Sequence, residues 1–339
     1  MNSLFFALLR SGLWERPLTD SELAAAATLG EAEWATLVEI ARRQTVSGLL
    51  YRAVTHLPAD FRIPGDFVLD LMAIAGGLAR ENQAKSAVTD RIFAECTAAG
   101  LHPVVMKGQS VAVYYAHPEL RYSGDIDLYF PPEEFPRALT LLGGEAAPDG
   151  TRHIRRGGIE IDIHDHYFDL HCADRKLPPV GTPEATILLL SSHILKHAIG
   201  PGVGLRQCCD LAVAWQALAP SIKPKEMLEI FRQTGTLRWN RLLFSFLAEY
   251  LGLSETLFAD ERVPSQPLLR IILEGGNFGH FAAARTAALQ AGATGERAAT
   301  RRRKCNTLSR FIKRLPFSLR FAPRETFATI WGLFRGNLH

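Results

Sequence analysis

The apolar positions change period along the chain, and the changes divide it. Over residues 20–57 they recur at helical spacing: Trp34, Leu37, Val38 and Ala41 share a face, and Thr19-Asp20-Ser21-Glu22 offers N-caps. Leu57-Pro58 and Ile63-Pro64-Gly65 punctuate a turn. Residues 66–99 predict one long amphipathic helix, closed by Gly100. From 101 the runs shorten. Residues 101–106 read as a buried strand, Val111 to Ala116 as a helix, and 125–130 as a strand. Pro132–Leu142 follows as a helix, with strands around 151–165 beyond the Gly143-Gly144 break. After Leu177-Pro178-Pro179 the period is helical: 183–199, 206–218, 224–235, 238–252, 267–275, 281–291 and a final helix, Glu325 to Phe334. The expectation is an α+β fold, with an N-terminal helical region (1–100), a small mixed-sheet core (101–180), a helical domain (181–296) and a basic C-terminal tail (297–339).

The core holds the candidate chemistry. In Arg121-Tyr122-Ser123-Gly124-Asp125-Ile126-Asp127-Leu128 the two aspartates alternate with apolar residues. Side chains two apart on a strand leave the same face, so both carboxylates point at one spot. Such a pair repels unless a cation sits between, and carboxylate oxygens suit Mg²⁺. Upstream, a strand runs into Lys107-Gly108-Gln109-Ser110 and then a helix start. That order is a phosphate-binding geometry, with Gly108 allowing close approach, Ser110 offering a hydroxyl and Lys107 a charge. Downstream, Gly158-Ile159-Glu160-Ile161-Asp162-Ile163-His164 alternates without a break and places Glu160, Asp162 and His164 on one strand face.

Lys-Gly, a helix, Arg-x-x-Gly-Asp-Ile-Asp-Leu, then a strand ending Asp-Ile-His resembles the uncharacterised nucleotidyltransferase family of the DNA polymerase β-like superfamily. His193-Ile194-Leu195-Lys196-His197 and Leu205-Arg206 to Asp210-Leu211 resemble that family's helical segment, and the resemblance covers about residues 30 to 290. It implies a nucleotidyltransferase core. Asp125, Asp127 and Asp162 are expected to be catalytic and to hold Mg²⁺ or Mn²⁺. Lys107, Gly108, Ser110 and Arg121 are expected at the nucleotide, with His164, His193, Lys196, His197 and Arg206 as cleft candidates. The implied substrate is an NTP, ATP foremost, with the acceptor open. The same constellation also serves attack at the γ-phosphate, as in a kinase, or survives as a non-catalytic nucleotide- or partner-binding module.

Composition changes this picture little. The chain is 47% hydrophobic and 22% charged, ordinary for a folded protein of 339 residues. No apolar run reaches the ~20 residues that cross a bilayer, and five cysteines without a Cys-x-x-Cys suggest a reduced, cytoplasmic chain. Charge changes it more. Residues 297–339 hold eleven Lys/Arg against Glu325 alone, +10, so the rest of this +3 chain is −7. Nucleic acid or an anionic surface is a conceivable partner of that tail, but a solvated basic face balancing the acidic body is the favoured expectation. His193 and His197 at i, i+4 also have metal-ligand spacing, though no third ligand is near in sequence.

Overall fold

The computed structural model describes residues 2–146, 152–171, 177–200, 202–254, 256–276 and 311–334. The helix expected over 281–291 lies outside them. The chain forms two compact units, one mainly of Met1–Ala41 and Val46–Phe168, the other of Arg42–Thr45 and Asp169–Gly336.

The first unit opens with α1 (Asn2–Trp14); Leu4 through Leu9 are all buried. It packs on α4 (Ser47–Thr55) so closely that a Cβ on Gly12 would lie 1.9 Å from the Leu49 carbonyl oxygen. Between them, the region read as helical contains α2 (Asp20–Ala27), started by a Thr19–Glu22 capping box, and α3 (Glu31–Arg43). The long predicted helix is α5 (Phe67–Ala98).

The sheet follows. Its strands are β1 (Val104–Met106), β2 (Ile126–Tyr129), β3 (Glu145–Ala146), β4 (Arg152–Arg156) and β5 (Ile159–His164), in the order β1-β2-β5-β4-β3. Only β2 and β5 pair parallel. Two short helices accompany it, α6 (Gly108–Ala112) and α7 (Phe135–Leu142). Ile126, Leu128, Ile161 and Ile163 alternate onto one face and join Val88, Ile92 and Cys96 of α5 and Ala138 and Leu142 of α7 in a buried core. Burying this face fixes strand register, because a one-residue slip would turn these side chains outward.

The second unit is helical, as expected: α8 (Pro183–Ile199), α9 (Leu205–Leu218), α10 (Pro224–Gln233), α11 (Leu237–Leu251), α12 (Gln266–Gly275), a helix over 311–321 (α13) and α14 (Pro323–Phe334). Several of its buried polar groups are matched. Ser191 Oγ donates to Asn240 Oδ1 at 2.5 Å, and Gln44 bridges the Ile272 carbonyl and the Leu205 amide. The described part of the basic tail is folded into this unit. Arg314 donates to the carbonyls of Ala198 and Gly200, and buried Glu325 accepts from the His171 amide and pairs with its ring. Among the described residues, no helix is long and apolar enough to cross a membrane.

Candidate metal and nucleotide site

The parallel β2–β5 pairing sets Asp127 directly opposite Asp162, and Tyr129 opposite His164. Their apolar neighbours occupy the core face, so Asp127, Asp162 and His164 share the other face. Ligand atoms of these three residues all lie within 4.8 Å of one another, the only such group of three or more acidic, His or Cys residues among the described residues. The pair His193 and His197 therefore does not extend to a third ligand there.

Polar contacts already crowd the carboxylates. Asp127 Oδ1 lies 2.8 Å from His164 Nε2 and 3.3 Å from Lys107 Nζ. On the other side of Asp162, β4 brings His153 into register, and its Nδ1 lies 2.5 Å from Asp162 Oδ1. Burial raises the Asp162 pKa above its ordinary 3.8; the His153 hydrogen bond opposes the shift, and the charges of Asp125 and Asp127 add to it. His164 is buried, and its Nδ1 has no hydrogen-bond partner among the described residues. Two carboxylates and an imidazole within reach of one point form a donor set that fits a divalent cation.

Asp125 lies just before β2, exposed, so the expected strand starts one residue later than 125. The Lys107–Ser110 turn approaches it: the nearest atom to a Cβ built on Gly108 is the Asp125 carbonyl oxygen, at 4.0 Å. Gly108 has φ +44°, and so does Lys107, where a side chain makes the conformation strained. Ser110 closes the turn, its amide and hydroxyl both donating to the Lys107 carbonyl at 2.8 Å. Arg121 is buried, and its Nη1 donates to the Tyr122 carbonyl.

Two further contributors escaped the sequence reading. His153 is one. The other is a polar stripe on α5: Asn82 Nδ2 donates to the carbonyls of Glu119 and Arg121, buried Lys85 donates to the Ser123 carbonyl at 2.7 Å, and Thr89 donates to Gln109 Oε1. One helix thus fastens both the loop leading to Asp125 and the turn after Lys107. The remaining cleft candidates belong to the second unit. His193 and Lys196 both contact Asp169 at 2.8 Å, the His193 and His197 rings meet edge to face, and Arg206 is buried.

A family model described as an uncharacterised nucleotidyltransferase matches residues 30–252, more than half of the chain. No curated protein and no solved structure matches it.

Proposed function

The chain belongs to the uncharacterised nucleotidyltransferase family, and on that premise we propose that it moves an NMP from an NTP, foremost ATP, to a hydroxyl or phosphate of an acceptor. The observation that carries this reading is the β2–β5 register, which sets Asp127 beside Asp162 with Lys107 3.3 Å from the first of them. Asp127 and Asp162 with His164 would hold Mg²⁺ or Mn²⁺, and Asp125, exposed just before β2, would reach the ion from the strand's entry. Bound there, the ion would offset the charge of the triphosphate and polarise its phosphorus.

The chain's own residues do the rest. Lys107, Gly108 and Ser110 line the β- and γ-phosphates. Arg121 acts from behind, through the loop that carries Asp125. As the acceptor oxygen bonds to the α-phosphorus, the bond to the bridging oxygen breaks and pyrophosphate leaves. Asp162 takes the acceptor's proton, a role that a raised pKa suits. Positioning and charge account for most of the rate. The reading places the protein in the cytoplasm, where NTP is abundant; the described cysteines Cys96, Cys208 and Cys209 form no disulfide.

Incubation with α-labelled NTPs, Mg²⁺ or Mn²⁺ and cell lysate tests it. Label is expected to pass to an acceptor fraction, and Asp127→Ala is expected to abolish the transfer. Transfer of γ-label instead would assign kinase chemistry. No transfer from any NTP would leave a binding module and sink the catalytic reading.

A further inference from the structure

The outward side of the last two helices carries cations and large apolar residues and no acid. On α13, Ile312 (58% exposed) and Leu319 lie seven residues apart on one face, flanked by exposed Lys313 and Arg320. On α14, exposed Arg324 precedes Phe327 and Trp331, which are 63% and 59% exposed and four apart. The single acid of this stretch, Glu325, is turned inward onto His171. Ten large apolar residues are exposed among the described residues, and four of them fall in residues 311–334. That concentration singles out this stretch of the chain.

We propose that this face docks on an anionic lipid bilayer. Three considerations select that occupant. Exposed apolar residues on helices whose exposed charges are all cationic form the chemistry of an interfacial helix, whose apolar side enters the acyl boundary while Lys and Arg meet headgroup phosphates. The charge is complementary, because Lys313 and Arg320 on α13 and Arg324 on α14 are all exposed. Single-stranded nucleic acid would use the aromatic planes and arginines, but it offers nothing to cover Ile312 and Leu319. The contact is peripheral, since no described helix could span the bilayer. The inference stands apart from the catalytic reading and shares no residue with it.

The test uses the full-length protein with vesicles of phosphatidylcholine alone or with phosphatidylglycerol admixed, sedimented across a salt series. Binding is expected on the anionic vesicles and not on the neutral ones, weakening as salt rises. Phe327→Ser with Trp331→Ser is expected to weaken it about tenfold or more, with an unchanged melting temperature because both side chains are mostly exposed. Absence of wild-type binding to the anionic vesicles overturns the proposal, as does a double variant that binds like wild type. Two controls name the alternatives. Loss of single-stranded RNA binding in the double variant, without vesicle binding by wild type, would make this a nucleic-acid face. A wild-type dimer that the double variant dissolves, again without vesicle binding, would make it a self-association face. Either outcome overturns the lipid assignment.

Discussion

Asp162 sits under more opposing influences than any other side chain of the site. Burial and two neighbouring carboxylates favour its neutral form, while His153 favours the charged one, and the net shift is upward. A group whose pKa is raised on folding contributes stability below its unfolded pKa and loses it as pH rises through the folded value. At neutral pH, ionised Asp162 therefore costs the metal-free protein stability. Asp162→Asn keeps an oxygen for His153 and removes the charge. It should raise the melting temperature at pH 7 in chelator, and the advantage should shrink as pH falls to where wild-type Asp162 is protonated. Melting curves across pH would show this, and identical wild-type and variant curves throughout would refute it. The same substitution should leave nucleotide affinity within about a few-fold yet cut turnover by roughly two orders of magnitude, through loss of the proton acceptor. Glu160 is the internal control. It shares the strand face but is exposed and paired with Arg155, so Glu160→Gln should do neither; if it proves the more damaging change, the wrong carboxylate has been assigned.

Among the elements, α5 links fold to site. Its buried positions Leu71, Ala75, Leu78, Val88, Ile92 and Cys96 follow a helical stripe, and Lys85 occupies that stripe where an apolar residue would suit the core. A buried ammonium is tolerated because Glu81 and the Ser123 carbonyl receive it. Replacing a buried ion pair by an apolar residue of like volume is often neutral or stabilising. Lys85→Met, however, removes only one partner and strands the Ser123 carbonyl, so it should lower the melting temperature by a few degrees and, by releasing the loop before Asp125, weaken Mn²⁺–ATP binding about tenfold, on the scale of one lost charged hydrogen bond. Calorimetric titration beside a melting curve separates the two effects. Unchanged Mn²⁺–ATP affinity would mean that the loop holds its place without Lys85.

Elements also explain what the sequence could show. The Asp-x-Asp alternation, the strand over 159–164 and the long helix were readable because each rests on local periodicity. The partner of Asp162 on β4 was within reach as well. Gly157 and Gly158, with φ +58° and +80°, form a two-residue hairpin turn, and counting outward from it pairs Arg156 with Ile159 and His153 with Asp162. The parallel pairing of β2 with β5 left no such mark, since nothing local ties residues 127 and 162 together. Lys85 was hidden for the same reason: a lysine within a helical stripe reads as solvent-facing until the carbonyl it binds, 38 residues away, is known.

At the scale of the molecule, the opposite charges of tail and body matter less than how the tail is held. Phe311, Phe321, Ala322 and Thr326 are buried, Arg314 caps the carbonyl end of α8, and Glu325 holds the 171 backbone. These contacts hold the described part of the tail, residues 311–334, in the helical unit. Deleting residues 297–339 should therefore lower the melting temperature by about 5 °C or more, given the apolar area uncovered. A truncated protein that melts like the full chain would show that the helical unit stands without α13 and α14.

The Gly157–Gly158 hairpin has an evolutionary consequence. With only two residues in the turn, any single insertion or deletion between 153 and 162 shifts one strand by a step against the other. His153 would then face the core, and Arg152 or Ile154, according to the direction of the shift, would take its place beside Asp162. Point substitutions in this stretch can be accepted one at a time, but a change of length cannot be reached gradually. Among descendants of this chain, the spacing from His153 to Asp162 should outlast the identities of the residues between them.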